Sequence, residues 1–229
     1  MIINNVKLVL ENEVVSGSLE MQNGEIRAFA ESQSRLPEAM DGEGGWLLPG
    51  LIELHTDNLD KFFTPRPKVD WPAHSAMSSH DDATHAHVGE SHQLGSVIAE
   101  FPTTFEAAEA SRKHGMNVLM GAPNIVRGGS HSGNVAASEL AQLGLLDILS
   151  SDYYPASLLD AAFRVADDQS NRFTLPQAVK LVTKNPAQAL NLQDRGVIGE
   201  GKRADLVLAH RKGNHIHIDH VWRQGKRVF

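Results

Sequence analysis

His55 and Asp57 stand two residues apart at the end of the stretch W-L-L-P-G-L-I-E-L-H-T-D-N, residues 46–58. In an extended chain period-two geometry puts both side chains on one side, about 7 Å apart along the strand, so an imidazole and a carboxylate can grip one metal ion. The apolar run before them is broken by Pro49 and Gly50, resumes at Leu51-Ile52, and reads as a buried strand leaving the core at this polar cluster. The same pair also occurs in ordinary loops, so spacing alone leaves both readings open. Cysteine is absent, which excludes disulfides and thiolate ligands. Any metal must therefore sit on histidines and carboxylates, which suits a catalytic centre better than a Cys-rich structural one.

A second stretch with donor chemistry is Arg127-Gly128-Gly129-Ser130-His131-Ser132-Gly133-Asn134. Glycines let backbone N–H groups approach an anion closely, and Arg127, Ser130, His131 and Ser132 add donors. Taken alone, such a Gly/Ser stretch also reads as a plain connecting loop. Most of the twelve histidines need no function. His85 and His87 on a helix do not face the same way, and His92 and His114 read as surface or helix-end residues. His215 and His217 share one face of a strand opposite Ile216 and Ile218, which reads as a solvated face.

The elements that must position these groups alternate along the chain. Residues 2–10, 14–21 and 25–30 read as a β meander with an Asn23-Gly24 hairpin turn. Residues 31–45 read as a loop into the strand before His55. Beyond residue 77 a helix to about Gln93, a strand over 97–101, a helix from Thr103 or Thr104 to His114, and a strand over 117–121 follow in turn. Residues 122–134 read as a loop, 136–143 as a helix, and 147–151 as a strand ending at Asp152. Helices to Asp167 and from Thr174 to Lys184, stopping near Asn185-Pro186, lead back to strands over 204–209 and 215–228. The chain has 229 residues, 41% hydrophobic and 21% charged, enough for a sizeable core. A formal net charge of −7 argues against nucleic-acid or anionic-membrane partners, so a phosphorylated substrate needs a local cluster of donors or metal. No apolar run approaches the ~18 residues of a membrane span and the N-terminus lacks a signal-like apolar region, so the expected compartment is the cytoplasm.

The segment P-G-L-I-E-L-H-T-D resembles the end of the first barrel strand in the amidohydrolase superfamily, P-G-x-I-D-x-H-x-H, with Glu53 at the Asp position and Asp57 at the second His. S-H-D-D-A-T-H-A-H is similar to the family's sixth-strand segment. L-V-T-K-N-P-A-Q-A-L followed by R-G-V-I-G-E-G-K-R-A-D-L-V-L is similar to its link into a small β-sandwich. The resemblance implies a divalent metal site, of one or two ions and with zinc as the expected metal, on His55, Asp57, His80 and Asp152. Asp152 would also take a proton from the attacking water; its competing reading is a cap for the following helix. A-P-N-I-V-R-G-G-S-H-S-G-N resembles one branch of the superfamily, which hydrolyses a phosphoric anhydride of a phosphorylated sugar and releases diphosphate in phosphonate breakdown. On that resemblance Arg127, Gly128, Gly129, Ser130, His131, Ser132 and Asn134 are the expected substrate-binding residues. The alternatives are an amidohydrolase acting on a C–N bond and a truncated, catalytically dead family member.

The implied fold is an incomplete (β/α)8 barrel of the TIM type plus a small β-sandwich built from both chain ends, with boundaries at 1–48, 49–195 and 196–229. A complete barrel takes about 250 residues and one βαβ unit about 30. Only 24 residues separate His55 from His80. Strands two to five are therefore expected to be missing near residues 78–82, together with the metal ligands the family carries on its fourth and fifth strands. Uncovered parallel edges invite association, so a homo-oligomer is expected.

Overall fold

The computed structural model describes residues 1–55, 77–130 and 133–229, a mixed α/β chain with two separate sheets. It divides into two compact units. One comprises Met1–Ile52, Thr174–Ala187 and Leu192–Phe229, the other Glu53–Phe173 and Gln188–Asn191. The helical stretch 174–187, expected with the barrel, thus groups with the chain-end sheet.

The first unit opens with β1 (Ile2–Val9), β2 (Val14–Gln22), β3 (Glu25–Ala30), the two-residue β4 (Met40–Asp41) and β5 (Trp46–Pro49). Asn23 and Gly24 both adopt positive φ, 55° and 87°, the left-handed pair that a tight β2–β3 hairpin demands. The extended run does not resume as a strand after Gly50. Ile52 N–H donates instead to the Val182 carbonyl at 2.9 Å.

In the second unit four short strands form a parallel sheet in the order of the chain: β6 (Ser78–His80), β7 (Ile98–Glu100), β8 (Asn117–Gly121) and β9 (Ile148–Ser150). Two strands therefore lie between those carrying His80 and preceding Asp152, one more than a sixth and an eighth barrel strand would leave between them. Residues 78–80, expected to lead into a helix, form the edge strand. The helices α1 (His85–Gln93) and α2 (Phe105–Lys113) start at Thr84 and Thr104, each hydroxyl accepting an N–H of the first turn. Val88, Ala99, Ala107, Ala110 and Met116 form a buried cluster among α1, α2 and β7. Residues 122–127, expected as loop, form the short helix α3 (Ala122–Arg127), with Pro123 in its first turn and Gly128 in the left-handed conformation at its end. Then come α4 (Ala137–Gln142) and α5 (Ser157–Asp167). Among the described residues the sheet does not close into a barrel.

The chain returns through α6 (Leu175–Lys180), capped by Thr174, and α7 (Lys184–Ala189). Asn185-Pro186 begins α7 rather than ending the preceding helix, because proline needs no N–H donor in a first turn. The strands β10 (Leu206–Lys212), β11 (His215–Arg223) and β12 (Lys226–Arg227) complete an eight-stranded sheet in the order β12-β11-β10-β5-β1-β2-β3, with β4 beside β1. Both chain ends thus join one continuous sheet through β5, where the sequence suggested a two-sheet sandwich. It curls until its hairpin turns meet: Gly225 N–H donates to the Ala204 carbonyl, and Ala204 N–H to that of Gly24. Leu8, Leu19, Ile26, Leu47, Leu206 and Trp222 are among the buried side chains of the resulting core.

Candidate active site

Parallel strands of this kind deliver their functional groups at their C-terminal ends. His80 ends β6 and Glu100 ends β7. His55 is brought alongside β9 by two contacts: Asp152 N–H donates to the His55 carbonyl at 3.0 Å, and the Glu53 carboxylate accepts both the Ser151 and the His55 N–H at 2.9 Å. Glu53 thus serves where a strand ladder is lacking. The His55 Nδ1 stands 2.9 Å from a Glu100 carboxylate oxygen, and the His55 and His80 rings are 5.9 Å apart.

Glu100 is 9% exposed. Burial pushes its carboxyl up; the hydrogen bonds from His55 and Ser78 and the charges of His55 and His80 more than offset that, so its pKa is lowered. Ligand atoms of His55, His80 and Glu100 all lie within 4.8 Å of one another. Ligands of a tetrahedral centre at about 2.1 Å from the ion stand about 3.4 Å apart, between the 2.9 Å of the His55–Glu100 pair and the 4.8 Å that bounds the group. Two imidazoles and a carboxylate are donors suited to zinc or a similar divalent ion, so these residues fit one.

A cavity of about 180 Å³ adjoins this cluster, lined by residues that include Asp81, Phe101, Asn124, Ser130, Asn134, Asp152 and Tyr153. Phe101 stands edge-on to both imidazoles, at 5.0 Å from His55 and 5.2 Å from His80. The residues just past β6, β7 and β9 share a rare backbone: Asp81, Phe101 and Asp152 have φ of 59°, 52° and 52°. Left-handed conformations at non-glycine residues store on the order of 1–3 kcal/mol each and concentrate at functional sites.

Of the sequence candidates, His55 and His80 come together, and Glu100 joins them. Asp57, His131 and Ser132 lie outside the described residues. Asp152 is not in the three-residue cluster; its carboxylate lies against Gly121, where a Cβ would stand 3.4 Å away, and it borders the cavity. It does not cap α5, whose N-cap is Ala156 with no side-chain bond. Ser130 and Asn134 line the cavity, while Arg127 stands 5.1 Å over the ring of Tyr153, which lines it too. The backbone N–H groups of Gly128 and Gly129 both donate to the Asn124 carbonyl, at 3.2 and 3.1 Å. They close α3 at its C-terminal end. Glu100 was missed, and Glu53 was noted only as the residue at the Asp position of the P-G-x-I-D-x-H-x-H pattern. The available signal was a single acidic residue ending each apolar run, I-A-E and L-I-E.

Residues 123–229 match the model of the amidohydrolase family. Solved structures with this fold include an amidohydrolase from Thermotoga maritima MSB8, 12% identical with a TM-score of 0.61, covering all of this chain and 99% of that one. Another is the dihydropyrimidinase from Brevibacillus agri NCHU1002, 10% identical with a TM-score of 0.68, covering 99% of this chain and 94% of that one. The chain belongs to the amidohydrolase family. Within it, the chain is 60% identical to the alpha-D-ribose 1-methylphosphonate 5-triphosphate diphosphatase of Escherichia coli (strain K12), over 378 aligned positions that span all of both proteins. Those 378 positions exceed the 229 residues of this chain by 149. Sixty per cent of 378 is about 227, so the identities account for nearly every residue present.

Proposed function

We propose that this chain is a shortened form of a metal-dependent hydrolase that cleaves the triphosphate of alpha-D-ribose 1-methylphosphonate 5-triphosphate and releases diphosphate, in the catabolism of phosphonates. The observation that carries this is the near-complete identity of the residues present to the diphosphatase, joined to a His55, His80 and Glu100 cluster beside a polar cavity. His55, His80 and Glu100 would hold the divalent ion, for which we propose zinc, with Asp57 as a further ligand. A bound cation there lowers the pKa of water and neutralises charge on phosphoryl oxygens. Asp152 borders the cavity with a carboxylate suited to accepting the proton of the attacking water. Ser130 and Asn134 offer neutral donors to phosphoryl oxygens, and Arg127, held over Tyr153, supplies positive charge.

The 149-position shortfall, with both ends of the relative covered, is accounted for by an internal segment absent between His55 and His80. The missing part is a block of barrel strands and their helices, leaving an incomplete (β/α)8 barrel. That same shortfall favours a second reading, a family member that has lost catalysis along with its fourth- and fifth-strand ligands. Among the described residues β6 has a hydrogen-bonded neighbour on one side only, which supports assembly with further copies of the chain. No described helix is long and apolar enough to cross a membrane, and we propose the cytoplasm as the compartment.

The deciding experiment incubates zinc-loaded protein with alpha-D-ribose 1-methylphosphonate 5-triphosphate and measures diphosphate, with a chelated sample and a cyclic amide as controls. Chelator-sensitive diphosphate release is expected. Zinc binding without turnover would move the conclusion to the non-catalytic reading, and amide hydrolysis alone would move it to C–N chemistry.

A further inference from the structure

Asn124 is not among the residues that the spacing of the Gly/Ser stretch singles out, yet the glycines near the start of that stretch and the helix that follows it are both tied to it. Its backbone carbonyl accepts the Gly128 and Gly129 N–H groups, and its side-chain Oδ1 accepts the Ala137 N–H at 3.0 Å where α4 begins. A backbone N–H can only donate, so this bond fixes which end of the carboxamide is oxygen. With Oδ1 engaged in this way, the amide nitrogen is the end of the side chain that has donors to offer, and Asn124 is among the residues lining the cavity.

That cavity mixes two kinds of group: the carboxylates of Asp81 and Asp152, and the neutral donors of Asn124, Ser130 and Asn134. At about 180 Å³ it is smaller than the ~300 Å³ at which whole-ligand pockets begin, so it suits one end of a long substrate. With two carboxylates already present, an anionic end is accepted only where donors are fixed in direction, because a rotatable amide could equally present its oxygen.

We infer that Asn124 is a specificity residue for the phosphoryl chain: held through Oδ1 by the Ala137 N–H, it donates from Nδ2 to an oxygen of the terminal phosphoryl groups in the cavity. This rests on the function proposed above and assigns the cavity to the diphosphate end of that substrate. The fixed amide also rejects a ligand that must itself donate at this position.

The test compares the unaltered protein with Asn124→Asp by calorimetric titration with inorganic diphosphate, alongside thermal melts of both. Aspartate keeps an oxygen for the Ala137 N–H but turns the donor into a second acceptor. The expected result is an unchanged melting temperature and at least tenfold weaker diphosphate binding, the size of one hydrogen bond to a charged group. Equal binding by the two proteins overturns the inference, as does absence of diphosphate binding by the unaltered protein. If Asn124→Asp lowers the melting temperature, Asn124→Ala decides, titrated at a temperature at which all three proteins are folded: at least tenfold weaker binding than the unaltered protein supports the inference, and any smaller loss overturns it. Diphosphate binding that depends on Asn124, without diphosphate release from the triphosphate, would fell the proposed activity and leave this assignment standing.

Discussion

Buried polar side chains divide unevenly between the two units. Asp82, Glu100 and Asp160 are buried in the unit of the parallel sheet, together with Ser96, Ser111, Ser150, Ser151 and Ser157, whereas in the chain-end unit the buried polar group is Thr183. Left-handed backbone occurs in both units but at different places. The chain-end unit has it at Asn5, Asn23, Glu43 and Gln224, within or between its strands, while the parallel sheet has it at Asp81, Phe101 and Asp152 beside the cavity. Phenylalanine is a poor residue for that conformation, so its neighbours must hold it there. The contrast teaches that the long antiparallel strands supply stability through apolar burial, and the short parallel ones spend some of theirs on placing polar groups.

The largest effect that would break this comparison lies in the chain-end core. Trp222 is 1% exposed, and Trp222→Ala should cost about 3–5 kcal/mol in denaturant unfolding while leaving the zinc stoichiometry of the folded fraction unchanged. A loss under about 1 kcal/mol would show that this sheet is not the stabilising region. Next, Glu100→Gln keeps the shape and removes the charge. Zinc affinity measured by competition with a chromogenic chelator should fall about 10–100-fold, whether Glu100 binds the ion or orients His55. An unaltered affinity would remove Glu100 from the site.

A smaller effect is expected at the cap of α2. Thr104 Oγ1 accepts the Ala107 N–H at 3.0 Å, and Thr104→Ala should destabilise by about 1 kcal/mol without changing zinc binding. The smallest concerns acid. Burial pushes the Asp219 carboxyl up, but the hydrogen bond from His210 at 2.6 Å and the charges of His210, Lys212 and His217 hold it below the usual carboxylate range. A lowered folded-state pKa contributes stability that is complete above the unfolded value and is lost as pH falls through the folded one. The expected contribution is about 1 kcal/mol or less. Stability curves of the unaltered protein and Asp219→Asn should therefore converge below pH 4, and parallel curves down to pH 2 would exclude the linkage.

Much of the fold could be read along the chain because it is coded locally. Asn23-Gly24, the Thr104 cap, Gly115 and the apolar runs at 97–101, 117–121 and 147–151 act on immediate neighbours, and each lies in or beside the element it announces. The misreadings have another origin. Ser78–His80 pairs only because β7 is there to receive it, and a polar strand of three residues has no period to detect. Residues 122–127 look loop-like from the glycines that follow, but Pro123 starts a helix whose end those glycines close.

The candidate site was half visible for the same reason. His55 stands out by residue type at the end of an apolar run, and His80 by the likeness of S-H-D-D-A-T-H-A-H to the family's sixth-strand segment. Glu100 does not, since its partner His55 lies 45 residues away.

Residue order by itself determined the hairpins, the caps, the family likeness and the supply of metal-binding side chains without cysteine, because each depends on neighbours within a few positions. Tertiary structure alone decided that Glu100 faces the two imidazoles, that Glu53 replaces a strand ladder beside β9, and that the glycine amides bond to the Asn124 carbonyl. Those choices turn on which groups distant segments leave unsatisfied when they pack, and a buried donor or acceptor takes whatever partner the packing puts within reach.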